Sequence, residues 1–288
     1  MQPKTALITG CSSGIGRATA REFLEEDWVV YATARNPADV QTLGERERCH
    51  IATLDVTDGS DVERVVDRIV DEQGRIDCLV NNAGYGQMGP VEDVPTEVVH
   101  RQFDVNVYGP HRLIRAVLPH MREQGDGTVV NVSSVAGRVS FPGGGVYSGS
   151  KFAIEAMSDS LRAEVEEYGV DVVLIEPGPV DTGFQERAMD SIADGGDAQA
   201  TSGPEGVERT DAYESIYSLL EDRQAIGGTG PGTVSPERVA AEIVNAASAT
   251  QPAARYPVGP VARVGVLARF VPDSLRDAAY RLVRKFAG

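Results

Sequence analysis

Lysine is scarce in this 288-residue chain. Of 27 basic residues only Lys4, Lys151 and Lys285 are lysines, and 43 acids bring the net charge to −16. Such a surface repels a phosphate backbone and argues against nucleic acid as a partner. Dense carboxylates keep a protein hydrated, and salt screens their mutual repulsion, so adaptation to high salt is an expectation. Cys11, Cys49 and Cys78 are odd in number and lack metal-ligand spacing, which argues against a disulfide framework. His50, His100, His111 and His120 are scattered, so no metal site is expected. No basic-then-apolar leader precedes the first strand and no apolar run reaches membrane-spanning length, which points to a cytoplasmic protein. Repeats of solenoid spacing are also missing.

What the chain has is alternation. Short apolar, β-branched runs predict strands at Ala6–Thr9, Trp28–Ala34, His50–Leu54, Cys78–Asn81, Thr128–Val132 and Asp171–Glu176. Amphipathic stretches at Arg17–Glu26, Asp61–Gln73, Val107–Glu123 and Phe152–Tyr168 predict helices between them. That rhythm implies an α/β fold, a doubly wound parallel sheet covered on both faces, as one dinucleotide-binding domain over residues 1–288.

Two regions break the rhythm. Residues 182–234 are acidic and rich in Gly, Ser and Pro, with one helical island at Tyr213–Arg223, and are expected to form a substrate loop. Beyond Gln251, in the 251–288 extension, seven bases face two acids, a local +5 that leaves −21 for the remainder. Its apolar residues suggest two amphipathic helices split at Pro272. A packed lid or a dimer contact is favoured over a membrane-surface patch, because the acidic remainder would be repelled from anionic lipid.

The chemistry centres on Tyr147 and Lys151, four residues apart and so on one helical face, with Ser134 thirteen residues upstream. A lysine charge beside a phenol is expected to lower its pKa from about 10. A hydroxyl so placed can polarise a carbonyl oxygen, given a hydride carrier alongside.

At the other end, the first strand runs into T-G-C-S-S-G-I-G, Thr9 to Gly16, and then a helix. Gly10, Gly14 and Gly16 permit tight turning, and the helix start offers N–H groups to a pyrophosphate, so Gly10, Ser12, Ser13, Gly14, Ile15 and Gly16 are assigned to a cofactor. The second strand ends in Y-A-T-A-R-N with no carboxylate, Ala34 standing where one would bind ribose hydroxyls. Arg35 follows, either a surface charge or a grip on a 2′-phosphate, with Ser12 a second phosphate contact. The latter favours NADP(H) over NAD(H).

These motifs, with L-D-V-T-D at Leu54, N-N-A-G at Asn81, N-V-Y-G at Asn106, V-N-V-S-S at Val130, Y-S-G-S-K at Tyr147 and P-G-P-V-D-T at Pro177, resemble the short-chain dehydrogenases/reductases. The glycine turn, V-Y-A-T-A-R-N, R-Y-P-V-G at Arg255 and F-V-P-D-S-L at Phe270 are similar to the hydroxysteroid and retinol dehydrogenase branch. The resemblance implies that Ser134, rather than Ser133, holds the substrate oxygen and that Tyr147 is the acid or base. Lys151 would bind the nicotinamide ribose and tune the tyrosine, and Asn106 would hold a relay water. Asp55 and Val56 would contact adenine, Asn82, Ala83 and Gly84 would border the cofactor, Pro177 and Gly178 would also bind it, and Val180 and Thr182 would hold its carboxamide and pyrophosphate. Taken singly, Asn106 reads as a helix cap, Asp55 as a turn residue and Pro177-Gly178 as a turn.

The resemblance also implies a homodimer or homotetramer built on Val107–Glu123 and Phe152–Tyr168, acting on a small hydrophobic ketone or alcohol such as a steroid or retinoid. An apolar pocket is expected from Tyr85–Met88, Val135–Val146 and the 182–234 loop. The alternative is a non-catalytic NADP(H) sensor or scaffold of the same fold, but no catalytic residue is missing. A nucleotide-free lyase or dehalogenase of the family would not need the three glycines or Lys151.

Overall fold

Runs of Val, Ile, Leu and Ala too short to be helices become strands buried on both faces. The computed structural model describes residues 2–184, 188, 209–221, 230 and 232–287. Its elements run β1 (Thr5–Ile8), α1 (Gly14–Glu25), β2 (Val29–Ala34), β3 (Cys49–Thr53), α2 (Gly59–Gln73), β4 (Cys78–Asn81), α3 (Thr96–Phe103), α4 (Gly109–Gln124), β5 (Gly127–Val132), α5 (Gly145–Val165) and β6 (Val170–Pro177). They continue as α6 (Glu214–Glu221), α7 (Pro236–Ser248), β7 (Arg255–Val258), α8 (Pro260–Gly265) and α9 (Asp273–Ala287). All strands are parallel, in one sheet ordered β3-β2-β1-β4-β5-β6-β7.

The period of two along a strand sorts the core. Ala6 and Ile8 of β1 join α1 and α7 (Phe23, Val239, Ile243) on one face. Leu7, between them, joins Val62, Val65 and Ile69 of α2 and Leu113 and Val117 of α4 on the other. The doubly wound expectation holds, and six strands fall within a residue of their predicted bounds.

Several elements differ from the sequence reading. β7 was not predicted: it is a four-residue edge strand carrying Arg255 and Pro257, and proline is tolerated at an edge because a donor can be spared there. Helices α3 and α7 were missed as well. The stretch predicted as one helix from Val107 begins with a π turn at Asp104–Tyr108 before α4. The helical island appears as α6, but Arg223 and most of the 182–234 region lie outside the described residues. The break at Pro272 separates a 3-10 turn, Val266–Phe270, from α9. No helix among the described residues is long and apolar enough to cross a membrane.

Candidate active site

The strand order reverses direction between β1 and β4, and an open α/β sheet forms its crevice at such a point, beyond the carboxyl ends of the strands. Two loops interlock there. Thr9 Oγ1 accepts the backbone N–H groups of Asn82 and Ala83, both at 3.0 Å. Asn82 Nδ2 donates to the carbonyls of Thr9 at 2.9 Å and Gly10 at 3.2 Å. The backbone of Gly10 is left-handed (φ 72°), and a Cβ on Gly16 would sit 2.3 Å from the Gly10 carbonyl oxygen and 2.5 Å from Asn82 Nδ2.

Around this turn the polar groups are left for a ligand. Ser13 occupies the N-cap of α1 without a side-chain capping bond, and the first turn carries no acid. The unpaired N–H groups therefore face the crevice as an anion site, which fits a pyrophosphate. Ser12 and Ser13 are half-buried in the turn, Ile15 packs on the core, and Thr182 lies against Gly14. Arg35 is exposed just past β2. A Gly16→Ala variant is expected to cost on the order of 1–3 kcal/mol in stability and to weaken nucleotide binding, because the clash is with backbone. Melting and titration calorimetry check this; an unchanged melting temperature and affinity would mean the turn relaxes.

The other predicted cofactor residues have structural partners. Asp55 Oδ1 accepts from the Thr57 N–H at 2.9 Å and hydroxyl at 2.7 Å, a turn role, while Val56 is buried against Gly109. Gly84 lies where a Cβ would be 3.0 Å from Asn106 Oδ1. Pro177 ends β6, the Gly178 N–H donates to the Val258 carbonyl at 3.1 Å, and Val180 bridges to Val234.

The catalytic candidates converge at the start of α5. Tyr147 and Lys151 are both buried. The Ser134 hydroxyl hydrogen-bonds Tyr147 and also accepts the Ala136 N–H at 3.1 Å. Ser133 instead turns its buried hydroxyl toward Gly137. Asn106, in the π turn, uses its amide on both sides of Tyr85: Oδ1 accepts the Tyr85 N–H at 3.1 Å and Nδ2 donates to the Tyr85 carbonyl at 2.9 Å. Nδ2 also reaches Ser150 Oγ at 3.1 Å, and Ser150 donates to the Tyr147 carbonyl at 2.7 Å. The side chain is thus a brace between the 85–88 loop and α5, not a helix cap.

One expectation is corrected. Burial pushes the Tyr147 phenol up to about 12, with the Ser134 hydrogen bond pulling it down only in part. Lys151 Nζ stands 5.9 Å from the Tyr147 ring centroid and donates to the Val132 carbonyl at 2.8 Å. Burial lowers Lys151 itself to about 8, with Glu155 opposing the shift. In the protein alone, desolvation of the phenol outweighs any help from the ammonium.

Residues from the three segments expected to line an apolar pocket, 85–88, 135–146 and 182–234, surround the phenol. Phe184 tilts against the Tyr147 ring at 5.6 Å, and Met88, Phe141, Ile216, Tyr217 and Leu220 complete an apolar cluster. Asp93 fastens this cap, accepting from the Tyr217 hydroxyl and the Thr210 hydroxyl, each at 2.6 Å. Glu155, four residues after Lys151, was the one legible omission. It joins Glu176, Arg138, Arg255 and Asp159 in an ion-pair network behind the site.

A family model described as short chain dehydrogenase matches residues 4–192. The chain belongs to that family, and it is an oxidoreductase acting on CH–OH groups. It is 33% identical over 285 residues to a 3-ketodihydrosphingosine reductase of Bacteroides thetaiotaomicron, covering 98% of each chain. It is 34% identical over 284 residues to an NADPH-dependent 3-dehydrocapnine reductase of Ornithobacterium rhinotracheale, covering 96% of this chain and 95% of the relative. A crystal structure of a short-chain dehydrogenase from Streptomyces avermitilis superposes with a TM-score of 0.79 at 32% identity, covering 100% of this chain and 99% of that one.

Proposed function

We propose that the protein reduces a ketone carried on a long apolar molecule, using NADPH. The observation that carries this reading is the position of the Tyr147 hydroxyl. Its polar side meets Ser134, and its ring is walled by Phe184 and the Met88–Tyr217–Leu220 cluster. A carbonyl oxygen placed against both hydroxyls would carry its apolar remainder into that cluster. The bound dinucleotide would supply the hydride. Tyr147 Oη would give its proton to the substrate oxygen while Ser134 donates a hydrogen bond to the same atom. A phenol pushed up to about 12 holds its proton at neutral pH, which suits the acid role. The phenolate left behind gains from the Lys151 ammonium nearby. Asn106 and Ser150 keep α5 and the 85–88 loop in register.

On the cofactor side, the exposed Arg35 guanidinium would grip the 2′-phosphate, and the open N-terminus of α1 would hold the pyrophosphate. The relatives' names support the same direction and chemistry, since both describe reduction at a carbon-3 carbonyl and one specifies NADPH. They favour a sphingoid-type ketone over the steroids and retinoids of the motif resemblance.

The test is a purified-enzyme screen of 3-ketodihydrosphingosine, ketosteroids and retinal with NADPH and NADH. The expected result is turnover of the long-chain ketone with NADPH. In Arg35→Asp the ratio of kcat/KM values should swing toward NADH by at least about tenfold, the worth of a charge-assisted hydrogen bond. An unchanged ratio would separate Arg35 from the phosphate, and a flat screen with tight NADPH binding would favour a sensor.

A further inference from the structure

A helix that covers a core turns its large apolar side chains inward. The segment from α8 through the 3-10 turn does the reverse. Its inward side carries small residues: Ala262 is fully buried, and Gly265 lies so close to Val135 that a Cβ would be 2.5 Å from Val135 Cγ2. Its outward side carries Val264, Leu267 and Phe270, which are 71, 60 and 78% exposed. The spacing of three on a helical and then 3-10 backbone aligns these residues as one ridge. Leu275, at the start of α9, adds a further exposed side chain at 60%.

Charge follows the same ridge. Arg263 and Arg269 flank it, both exposed, and Arg281 is exposed on α9. The chain beyond Gln251 is +5 while the remainder is −21. Apolar residues rimmed by arginine in an otherwise acidic protein match the headgroup zone of an anionic bilayer, apolar side down and guanidinium groups among the phosphates. Repulsion from acidic groups farther from the bilayer than a Debye length, about 8 Å at physiological salt, is screened. A second copy of the chain fits less well. A two-fold contact through this ridge would bring the arginine rim of one copy against the arginine rim of the other.

The ridge also stands beside the chemistry. Val135, on which Gly265 rests, directly follows Ser134. The Tyr280 hydroxyl of α9 donates to the Ser140 carbonyl, and α9 packs on α6 of the apolar cap. We propose that the Val264–Leu267–Phe270 ridge with its flanking arginines docks the protein on an anionic lipid surface, next to the mouth of its site.

The test is flotation of the full chain with phosphatidylglycerol–phosphatidylcholine vesicles and with pure phosphatidylcholine vesicles, without cofactor or substrate, so that it succeeds or fails apart from the reaction. The protein should float with the anionic vesicles and stay behind with the neutral ones. Leu267→Glu/Phe270→Glu should abolish flotation, and Arg263→Glu/Arg269→Glu should weaken it by more than about twentyfold, at roughly fivefold per lost arginine. All four positions are exposed, so circular dichroism and turnover of a short water-soluble ketone should be unchanged. No flotation with anionic vesicles would overturn the proposal, and so would equal flotation with both lipids. A dimer in sedimentation that Leu267→Glu/Phe270→Glu splits into monomers would assign the ridge to a second copy instead.

Discussion

Tyr147→Phe is expected to lower kcat by about a hundred- to ten-thousandfold, the range that general acid–base catalysis contributes. Nothing else in the protein's packing should change, because the hydroxyl's contact is with Ser134 and the ring keeps its neighbours Phe184 and Met88. Nucleotide affinity and melting temperature should therefore match the wild type. The pH profile sharpens the test. With the phenol at about 12 in the protein alone, the protonated form prevails through neutral pH, so reduction should be insensitive to pH there. Alcohol oxidation needs the phenolate and should rise with pH across the alkaline range as that form accumulates. Tyr147→Phe should erase that rise. Retained turnover, or the same rise in the variant, would move the acid–base role to another group.

Arg255→Ala is expected to destabilise the protein by about 3–5 kcal/mol, the usual consequence of stranding buried carboxylates. Arg255 Nε lies 3.1 Å from Glu155 and 3.3 Å from Glu176, and its Nη2 lies 2.7 Å from Asp159. Glu155 and Glu176 are buried, and Arg138 is their other guanidinium partner, at 3.5 and 3.6 Å. Burial, then repulsion from Glu155, raises Glu176 from 4.5 to about 7 even with both arginines present. A carboxyl raised on folding binds its proton more tightly in the folded state, so its contribution is fully present below about 4.5 and is lost as pH rises through 7. Without Arg255 the shift grows. The deficit measured by urea unfolding should therefore be larger at pH 8 than at pH 6, and an equal deficit at both would exclude a charge-based origin.

The same residues mark the limit of what the sequence alone conveys. Strands such as Cys78–Asn81 were legible because a doubly wound sheet buries both faces and leaves continuous apolar runs. The glycine turn and the Ser134–Tyr147–Lys151 spacing were legible because each is local or kept in family order. β7 was not, since Arg255 and Pro257 break its apolar run. The pairing of Phe184 with Tyr147, the Asp93 contacts and the Glu155–Glu176–Arg255 network were hidden for another reason. Their partners are distant in sequence, 37 residues from Tyr147 to Phe184 and 100 from Glu155 to Arg255. The pKa of Tyr147 was misjudged because four-residue spacing reveals proximity to a lysine but not the burial that dominates the phenol. Likewise, the composition of the extension suggested a packed lid or a dimer contact, and only the solvent exposure of Phe270 and its neighbours separates an outward ridge from a packed lid.

The wedging of Gly10, Gly16 and Asn82 against one another has a consequence for how cofactor choice can be altered. Neither glycine has room for a Cβ, and both would meet Asn82, so the turn admits change only as a set. The end of β2 is unconstrained: Arg35 projects into solvent, and a substitution there disturbs no packing. Under the proposed grip of Arg35 on a 2′-phosphate, redesign toward NADH would have one inexpensive coordinate, the charge at position 35, while the glycine turn beside it would act as a fixed anvil.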